Sequence, residues 1–158
     1  MAYTTVNNPD AVTKVKLYSG NNSTNAITGV GFQPDCVMLK KRNAASGDWI
    51  ISDVVRGADK DIRSNNTAAE TDNGSIHLNS FDSDGFTVGG TGGHSNATGN
   101  TYFSLNMKAG GAASSNSDGS ITSSVSANTQ KTFSIVKWTG NGSNATIGHG
   151  LASKPVMI

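Results

Sequence analysis

The chain consists largely of short runs in which apolar and polar residues alternate, separated by turn residues. In the run VTKVKLY, Val15 and Leu17 fall on one face and Lys14, Lys16 and Tyr18 on the other. This period of two is typical of a β-strand with one face toward water. We therefore predict a strand here, with its polar face solvated.

A second alternating run, TYFSLNMK, occupies residues 101–108 and places Phe103, Leu105 and Met107 opposite the more polar positions. Two further runs, CVMLKKR at 36–42 and WIISDVV at 49–55, are mostly apolar and also favour strands. SIHLNSF and GFTVGG flank Ser-Asp-Gly at 83–85, which predicts a β-hairpin because Asp and Gly accept the positive φ angles of tight turns. The pattern as a whole predicts an all-β fold.

Composition narrows the possible partners. Twelve basic and eleven acidic residues give a formal charge of +1, so the chain has no electrostatic footprint for nucleic acid or an anionic membrane. No signal-peptide pattern opens the sequence and no apolar run reaches the length of a membrane span. We expect synthesis in the cytoplasm and no membrane insertion.

Residues 133–158, FSIVKWTGNGSNATIGHGLASKPVMI, repeat the order of parts found in residues 15–39. Tyr18 corresponds to Trp138, Gly20 to Gly140 and Pro34 to Pro155. The period of about 120 residues approaches a small domain. We predict a β-sandwich domain at 1–111, a Ser/Gly/Asn-rich linker or edge strands at 112–131, and an incomplete second copy at 132–158. We expect either continuation beyond Ile158 or completion of its sheet by a neighbouring subunit or by the first domain.

Several residue types that carry chemistry in other proteins have plainer explanations here. Asp82 and Asp84 are spaced like the first calcium ligands of a loop; we favour a hairpin turn without metal, and the alternative is a calcium site shared in a trimer or at a cluster of loops. Cys36 lies in an apolar run and is predicted to be a buried strand residue rather than a catalytic thiol. The three histidines are spread along the chain with no metal-ligand spacing, and no G-x-S-x-G motif is present. We predict no enzymatic activity, no metal and no cofactor.

Two tryptophans and one arginine are the candidate contact residues. Trp49 and Trp138 suit either a sandwich core or interface, or stacking on a sugar ring, and we favour the first for both. We expect Trp138 to pack as Tyr18 does, beside its Gly-Asn turn. Arg56 is predicted to bridge Asp53, with glycan binding as the alternative; Arg63 is a similar candidate for pinning the loop after residue 55. The Gly-rich stretch TGGHSNATGN at 91–100 is predicted to be a surface loop.

The order of several motifs resembles an uncharacterised β-sandwich domain of tail-fibre-like structural proteins of marine bacteriophages. The motifs are D-x-V-R-G-A at 53–58, SNNTAAET, SFDSDGFTVGG, a Tyr-containing strand ending in K-A-G-G at 108–111, SNSDGSITSSVSAN and FSIVKWTGNG, and the opening MAYTTVNNPDAVTKVKLYSGN is also similar. The resemblance implies an antiparallel jelly roll of the lectin, concanavalin or SPRY type. The strand before K-A-G-G lacks the tryptophans typical of the family, so a tryptophan-based binding surface does not transfer there.

This resemblance implies a structural protein of the virion. We expect a module of a fibre, tail or capsid surface that assembles with other virion proteins and with copies of itself. The alternative is an adhesin that recognises glycans on the host surface, through loops at one end of the sandwich.

Overall fold

A computed structural model describes residues 8–74 and 76–158, so residues 1–7 of the opening compared with phage proteins lie outside the described part. Within these ranges the chain forms twelve strands and one short 3-10 helix at Pro9–Ala11, which the Asn8 side chain caps. The strands are β1 Thr13–Ser19, β2 Asn25–Ile27, β3 Cys36–Lys41, β4 Ile50–Asp53, β5 Gly57–Arg63, β6 Thr71–Asp72, β7 Leu78–Asp82, β8 Gly85–Val88, β9 Thr101–Met107, β10 Ser114–Asn116, β11 Ser123–Ala127 and β12 Ser134–Trp138. No helix in the described ranges has the length and apolar character needed to cross a membrane.

Two antiparallel sheets pack against each other, which confirms the predicted all-β sandwich. The larger sheet has the strand order β1-β9-β3-β4-β5-β6, and the smaller has β2-β8-β7. Their facing side chains form the core, because alternate residues of each strand point between the sheets. The core residues are Ile27, Val37, Leu39, Ile50, Leu78, Phe86 and Val88.

The predicted hairpin is present. Strand β7 pairs with β8 and Asp82 lies opposite Gly85, so the turn consists of two residues. Gly85 has a φ of +155° and a Cβ at this position would lie 1.9 Å from the carbonyl oxygen of Ile27. The glycine therefore lets the hairpin approach the chain that leaves β2.

The alternation in β1 and β9 is present, but the buried face is the opposite of the one predicted. Val15 and Leu17 are 48% and 56% exposed. Tyr18 lies on the inner side, where its ring stacks on Tyr102 at a centroid distance of 5.2 Å and meets the edge of Phe86. The polar face of β9 is inside as well, because Ser104 and Asn106 are fully buried.

The Ser/Gly/Asn-rich segment at 112–131 forms strands. Strands β10 and β11 pair with each other, and β11 also pairs with β12. Asp35 holds this third sheet near the sandwich, because its carboxylate accepts hydrogen bonds from the N–H groups of Ala109 (2.7 Å) and Gly111 (3.2 Å). Ser126 Oγ then donates to the Gly111 carbonyl at 2.7 Å.

The two copies of the internal repeat share local geometry but differ in their surroundings. The Ser23 N–H donates to Asn21 Oδ1 at 2.8 Å, and the Ser143 N–H donates to Asn141 Oδ1 at 3.0 Å. Trp138, the equivalent of the partly buried Tyr18, is however 52% exposed. Trp138 therefore does not pack as Tyr18 does, and that prediction was wrong.

Candidate functional site

The most extensive candidate surface is the outward side of the six-stranded sheet. Strand register places Val15 opposite Leu105, Leu105 opposite Met38, Met38 opposite Ile51, and Ile51 opposite Ile62. An apolar row thus crosses five strands without a polar interruption. We define the outer face as this row together with the apolar side chains beside it: Val15, Leu17, Met38, Trp49, Ile51, Ile62, Phe103, Leu105 and Met107.

A second row of the outer face is centred on Phe103, which pairs with Leu17 on one side and Lys40 on the other. The Trp49 ring meets Phe103 edge to face at 6.1 Å, so Trp49 lies on this face and not between the sheets. The Lys40 ammonium lies 6.0 Å from the Trp49 ring and donates to the Gly47 carbonyl. Its charge is therefore directed toward the loop that precedes β4.

The row that contains Met107 ends in buried polar groups. Met107 pairs with Cys36, which pairs with Asp53. Burial raises the pKa of the Cys36 thiol to about 12, and the nearby Asp53 carboxylate adds to the effect. The prediction of a buried strand cysteine is confirmed, and the neutral thiol is a poor nucleophile at neutral pH.

Arg56 makes the predicted bridge to Asp53, and each of its three guanidinium nitrogens has a partner. Its Nε donates to Asp53 Oδ2 at 2.6 Å, its Nη2 donates to the Ile51 carbonyl at 2.9 Å, and its Nη1 reaches Glu70 at 3.3 Å. The side chains of Arg56 and Asp53 are only 11% and 7% exposed. The arrangement pins the turn after β4, and it leaves little of the guanidinium to contact a glycan.

Trp138 belongs to a separate, smaller surface. It borders a shallow groove of about 240 Å³ on the third sheet, whose other lining residues are Ser115, Thr122, Ser123, Ser124, Lys137 and Thr139. An exposed indole in a groove lined by serine, threonine and lysine residues can stack on the apolar face of a ring. We call this surface the Trp138 groove.

The two hairpin carboxylates are held by different groups of the chain. Asp82 accepts hydrogen bonds from Ser80 Oγ and Thr87 Oγ1, both at 2.7 Å. Asp84 accepts from the N–H groups of Gly29 at 2.9 Å and Gly31 at 2.6 Å, which lower the pKa of its carboxyl group. Asp84 thus fastens the hairpin to the turn after β2, which explains its place in the sequence without a metal ligand role.

Two of the histidines, which are far apart in the sequence, are neighbours in the fold. The rings of His77 and His94 meet edge to face at 5.5 Å, and Ser95 Oγ lies 3.2 Å from His77 Nδ1. The Asp48 N–H donates to His94 Nδ1 at 2.9 Å. Within residues 8–74 and 76–158, no three His, Cys, Asp or Glu side chains form a group suited to a metal ion.

Burial sets the charge state of this histidine pair. Desolvation lowers the pKa of His77, and the neighbouring His94 and Arg63 lower it further, although Asp61 acts in the opposite direction. Desolvation and Arg63 also lower the pKa of His94. Both imidazoles are consequently neutral near pH 7, and Ser95, which is fully buried, is not accessible as a nucleophile.

Acid is expected to destabilise the fold through this pair. A histidine whose pKa is lowered by folding binds fewer protons in the folded state, so stability is complete above the unfolded value of about 6.5 and falls as pH drops through it. Urea unfolding at about pH 7.5 and about pH 5.5 should show a lower midpoint in acid. His77→Asn, which retains a polar atom near Ser95, should lose less. His149→Asn controls for removing an imidazole elsewhere, and equal acid losses in His77→Asn and the unmodified chain would contradict this assignment.

The Gly-rich stretch at 91–100 is more deeply packed than predicted. Asn96 is fully buried and bonds to two separate parts of the chain: its Nδ2 donates to the Gly89 carbonyl at 2.7 Å and to Ser23 O, and its Oδ1 accepts from Asn25 Nδ2 at 3.1 Å. The Tyr18 hydroxyl donates to the Ser95 carbonyl at 2.7 Å. The prediction of a surface loop is wrong for these two residues, and composition gives no signal that separates them from the exposed Asn residues.

A groove of about 500 Å³ lies between the K-A-G-G segment and the turn after β11. Its acidic residue, Asp35, is engaged by the N–H groups of Ala109 and Gly111. Asn128, also on its wall, accepts hydrogen bonds from the Thr132 and Phe133 N–H groups. Asp35 is therefore occupied in joining the third sheet to the sandwich, and Asn128 is occupied in the turn between β11 and β12.

Comparison with known proteins gives one family. The sequence model described as Domain of unknown function (DUF7483) matches residues 8–158, which includes the sandwich and the third sheet. No curated protein and no solved structure matches the chain. Because the match covers nearly the whole length, the chain belongs to the DUF7483 family.

Proposed function

We propose that this chain is a structural module of a bacteriophage virion that acts through protein–protein assembly. The observation that carries the proposal is the outer face. Its main row is apolar across five strands, whereas monomeric proteins rarely expose continuous apolar surface of more than a few hundred Å². A surface of this kind gains stability when another protein covers it.

The position of this apolar surface supports a role in assembly and not a role in the core between the sheets. The core between the sheets is already complete without these side chains, because it is formed by residues on the other sides of the same strands. Met38, for example, points outward between two core residues of β3, Val37 and Leu39. A continuous row of apolar residues that do not contribute to the core is explained most simply by a partner protein that covers it.

The virion assignment draws on the order of motifs from D-x-V-R-G-A to FSIVKWTGNG, which resembles structural proteins of marine bacteriophages. Mass spectrometry of gradient-purified particles of the phage that carries this gene tests the assignment. Peptides of this chain should co-purify with the major virion proteins in a fixed ratio. Their absence from particles, with recovery from the soluble lysate, would contradict the proposal.

A second candidate function, glycan binding by an adhesin, is favoured by the Trp138 groove. The exposed indole offers a stacking platform, and serine and threonine residues also line the groove. This chemistry suits a neutral or acidic sugar.

If the groove binds sugar, Trp138→Ala should weaken binding about tenfold, as loss of an aromatic stacking contact implies. A glycan array identifies the sugar class, and titration calorimetry with the best hit measures the change. Trp49→Phe changes the other tryptophan and should leave affinity unaltered. An array without hits, or equal affinity in Trp138→Ala, would contradict the adhesin function.

A further inference from the structure

We infer that the outer face binds the outer face of a second copy of this chain, so that two six-stranded sheets pack face to face. This inference rests on the proposed function, since it names the partner for the surface assigned to assembly. It differs from association through a strand edge. In the described residues, the free edge of β1 carries Lys14 and Lys16, and lysines on an edge strand oppose pairing with another strand.

The size of the outer face suits a dimer. The five strands contain 31 residues, which at about 3.3 Å along each strand and about 4.8 Å between strands give a footprint of about 490 Å² per copy. Two copies would therefore bury about 980 Å², close to the roughly 1,000 Å² expected of a specific interface. Leu105 lies one strand from the centre of this footprint, since Met38 on β3 is the middle residue of the row that runs from Val15 to Ile62.

The charges around the outer face allow it to meet itself. Lys40 is held against Gly47 and Trp49, and Asp53 is bound by Arg56 at 2.6 Å. A two-fold contact between identical surfaces opposes each charge with its own kind, which costs several kcal/mol when such charges are unpaired. Because these charges are turned aside or neutralised, self-association meets little electrostatic penalty.

The shape of the face is also compatible with this partner. The outward side chains form parallel cross-strand rows, and twisted sheets with such rows pack at about −30° and about 10 Å apart. The apolar rows of one copy can then lie between those of the other, as in the interior of a sandwich. A helix or an extended peptide would cover only part of a five-strand face.

Sedimentation equilibrium of the full chain over a wide concentration range tests the inference. The unmodified chain should fit a monomer–dimer equilibrium. Leu105→Lys, which places a charge from each copy within the apolar row of the interface, should raise the dissociation constant at least about tenfold. The matched control is Ile76→Lys, at an exposed apolar residue of the loop before β7 and outside the outer face, which should dimerise like the unmodified chain.

Circular dichroism establishes that each variant is folded, and Leu105→Thr is the second variant if lysine prevents folding; it should also weaken the dimer. A monomer at all concentrations, or a dimer equally strong in Leu105→Thr, would overturn the inference. Particle mass spectrometry separates this failure from failure of the proposed function. A monomeric chain that is present in particles refutes self-association alone, and a dimer that is absent from particles refutes the virion assignment alone.

Discussion

Replacing Asn96 by leucine is expected to lower the free energy of unfolding by about 3–5 kcal/mol, which is among the largest losses for a single substitution. The change keeps the number and branching of the side-chain heavy atoms but removes every polar atom. The carbonyl groups of Ser23 and Gly89 then lose their donor, and Asn21 and Asn25 lose their acceptor. A buried group left without a partner costs about 1–3 kcal/mol, so a few such losses account for the total.

The matched control for Asn96 is Asn141→Leu. Asn141 is exposed, and its side chain accepts one hydrogen bond within its own turn, from the Ser143 N–H at 3.0 Å. We expect a loss of about 1 kcal/mol or less for this variant. Urea unfolding at neutral pH measures both. Equal losses at the two positions would show that Asn96 does not organise the loop at 91–100 as described.

Gly20→Ala is expected to be the second large effect, with a loss of about 3 kcal/mol in the free energy of unfolding. A Cβ at this position would lie 2.3 Å from the carbonyl oxygen of Ala97 and 2.7 Å from the carbonyl carbon of Asn96. Both atoms are backbone, so the loop at 91–100 must move to admit the methyl group. Movement of this loop would also disturb the hydrogen bond from Tyr18 to the Ser95 carbonyl.

The internal repeat supplies the control for Gly20. Gly140 occupies the corresponding position of the second copy, and a Cβ there meets nothing within 4 Å. Gly140→Ala should therefore change stability by less than about 1 kcal/mol, because only the backbone entropy differs. Thermal unfolding of the two variants provides the comparison. A loss in Gly140→Ala as large as that in Gly20→Ala would contradict the distinction between the two copies.

Local features of the fold could be predicted from the sequence. The hairpin at β7 and β8 follows from Ser-Asp-Gly at 83–85, in which Ser83 and Asp84 form the two-residue turn and Gly85, which pairs with Asp82, has the positive φ. The bridge from Arg56 to Asp53 connects residues three positions apart at a strand end. These predictions succeeded because each depends on residues that are close in the sequence.

The direction in which each strand faces could not be predicted. Alternation reveals that β1 has two different faces, but it does not say which one meets the smaller sheet. We assigned the Lys14 and Tyr18 face to water because lysine is usually solvated. The stack of Tyr18 on Tyr102 places this face toward the smaller sheet instead, and the two residues are 84 positions apart in the sequence. The apolar residues left outside are the ones that now carry the proposed interface.

The candidate contact residues were predicted only in part. Trp49 lies on the outer face, consistent with an interface position, whereas Trp138 lost its predicted likeness to Tyr18. In the first copy the partners of Tyr18 come from β9 and the loop before it, far along the chain. A repeat of residues 15–39 alone therefore reproduces a turn, but it does not reproduce the contacts that bury the aromatic ring.

Oxidative footprinting of intact particles tests assembly through the outer face most directly. Met38 and Met107 lie on this face. Met157, which follows β12 and is 87% exposed, serves as the reference. If assembly covers the outer face, Met38 and Met107 should oxidise several times more slowly, relative to Met157, in particles than in the dilute purified chain. Equal relative rates in the two samples would contradict it, because the outer face would then be uncovered in the assembled virion.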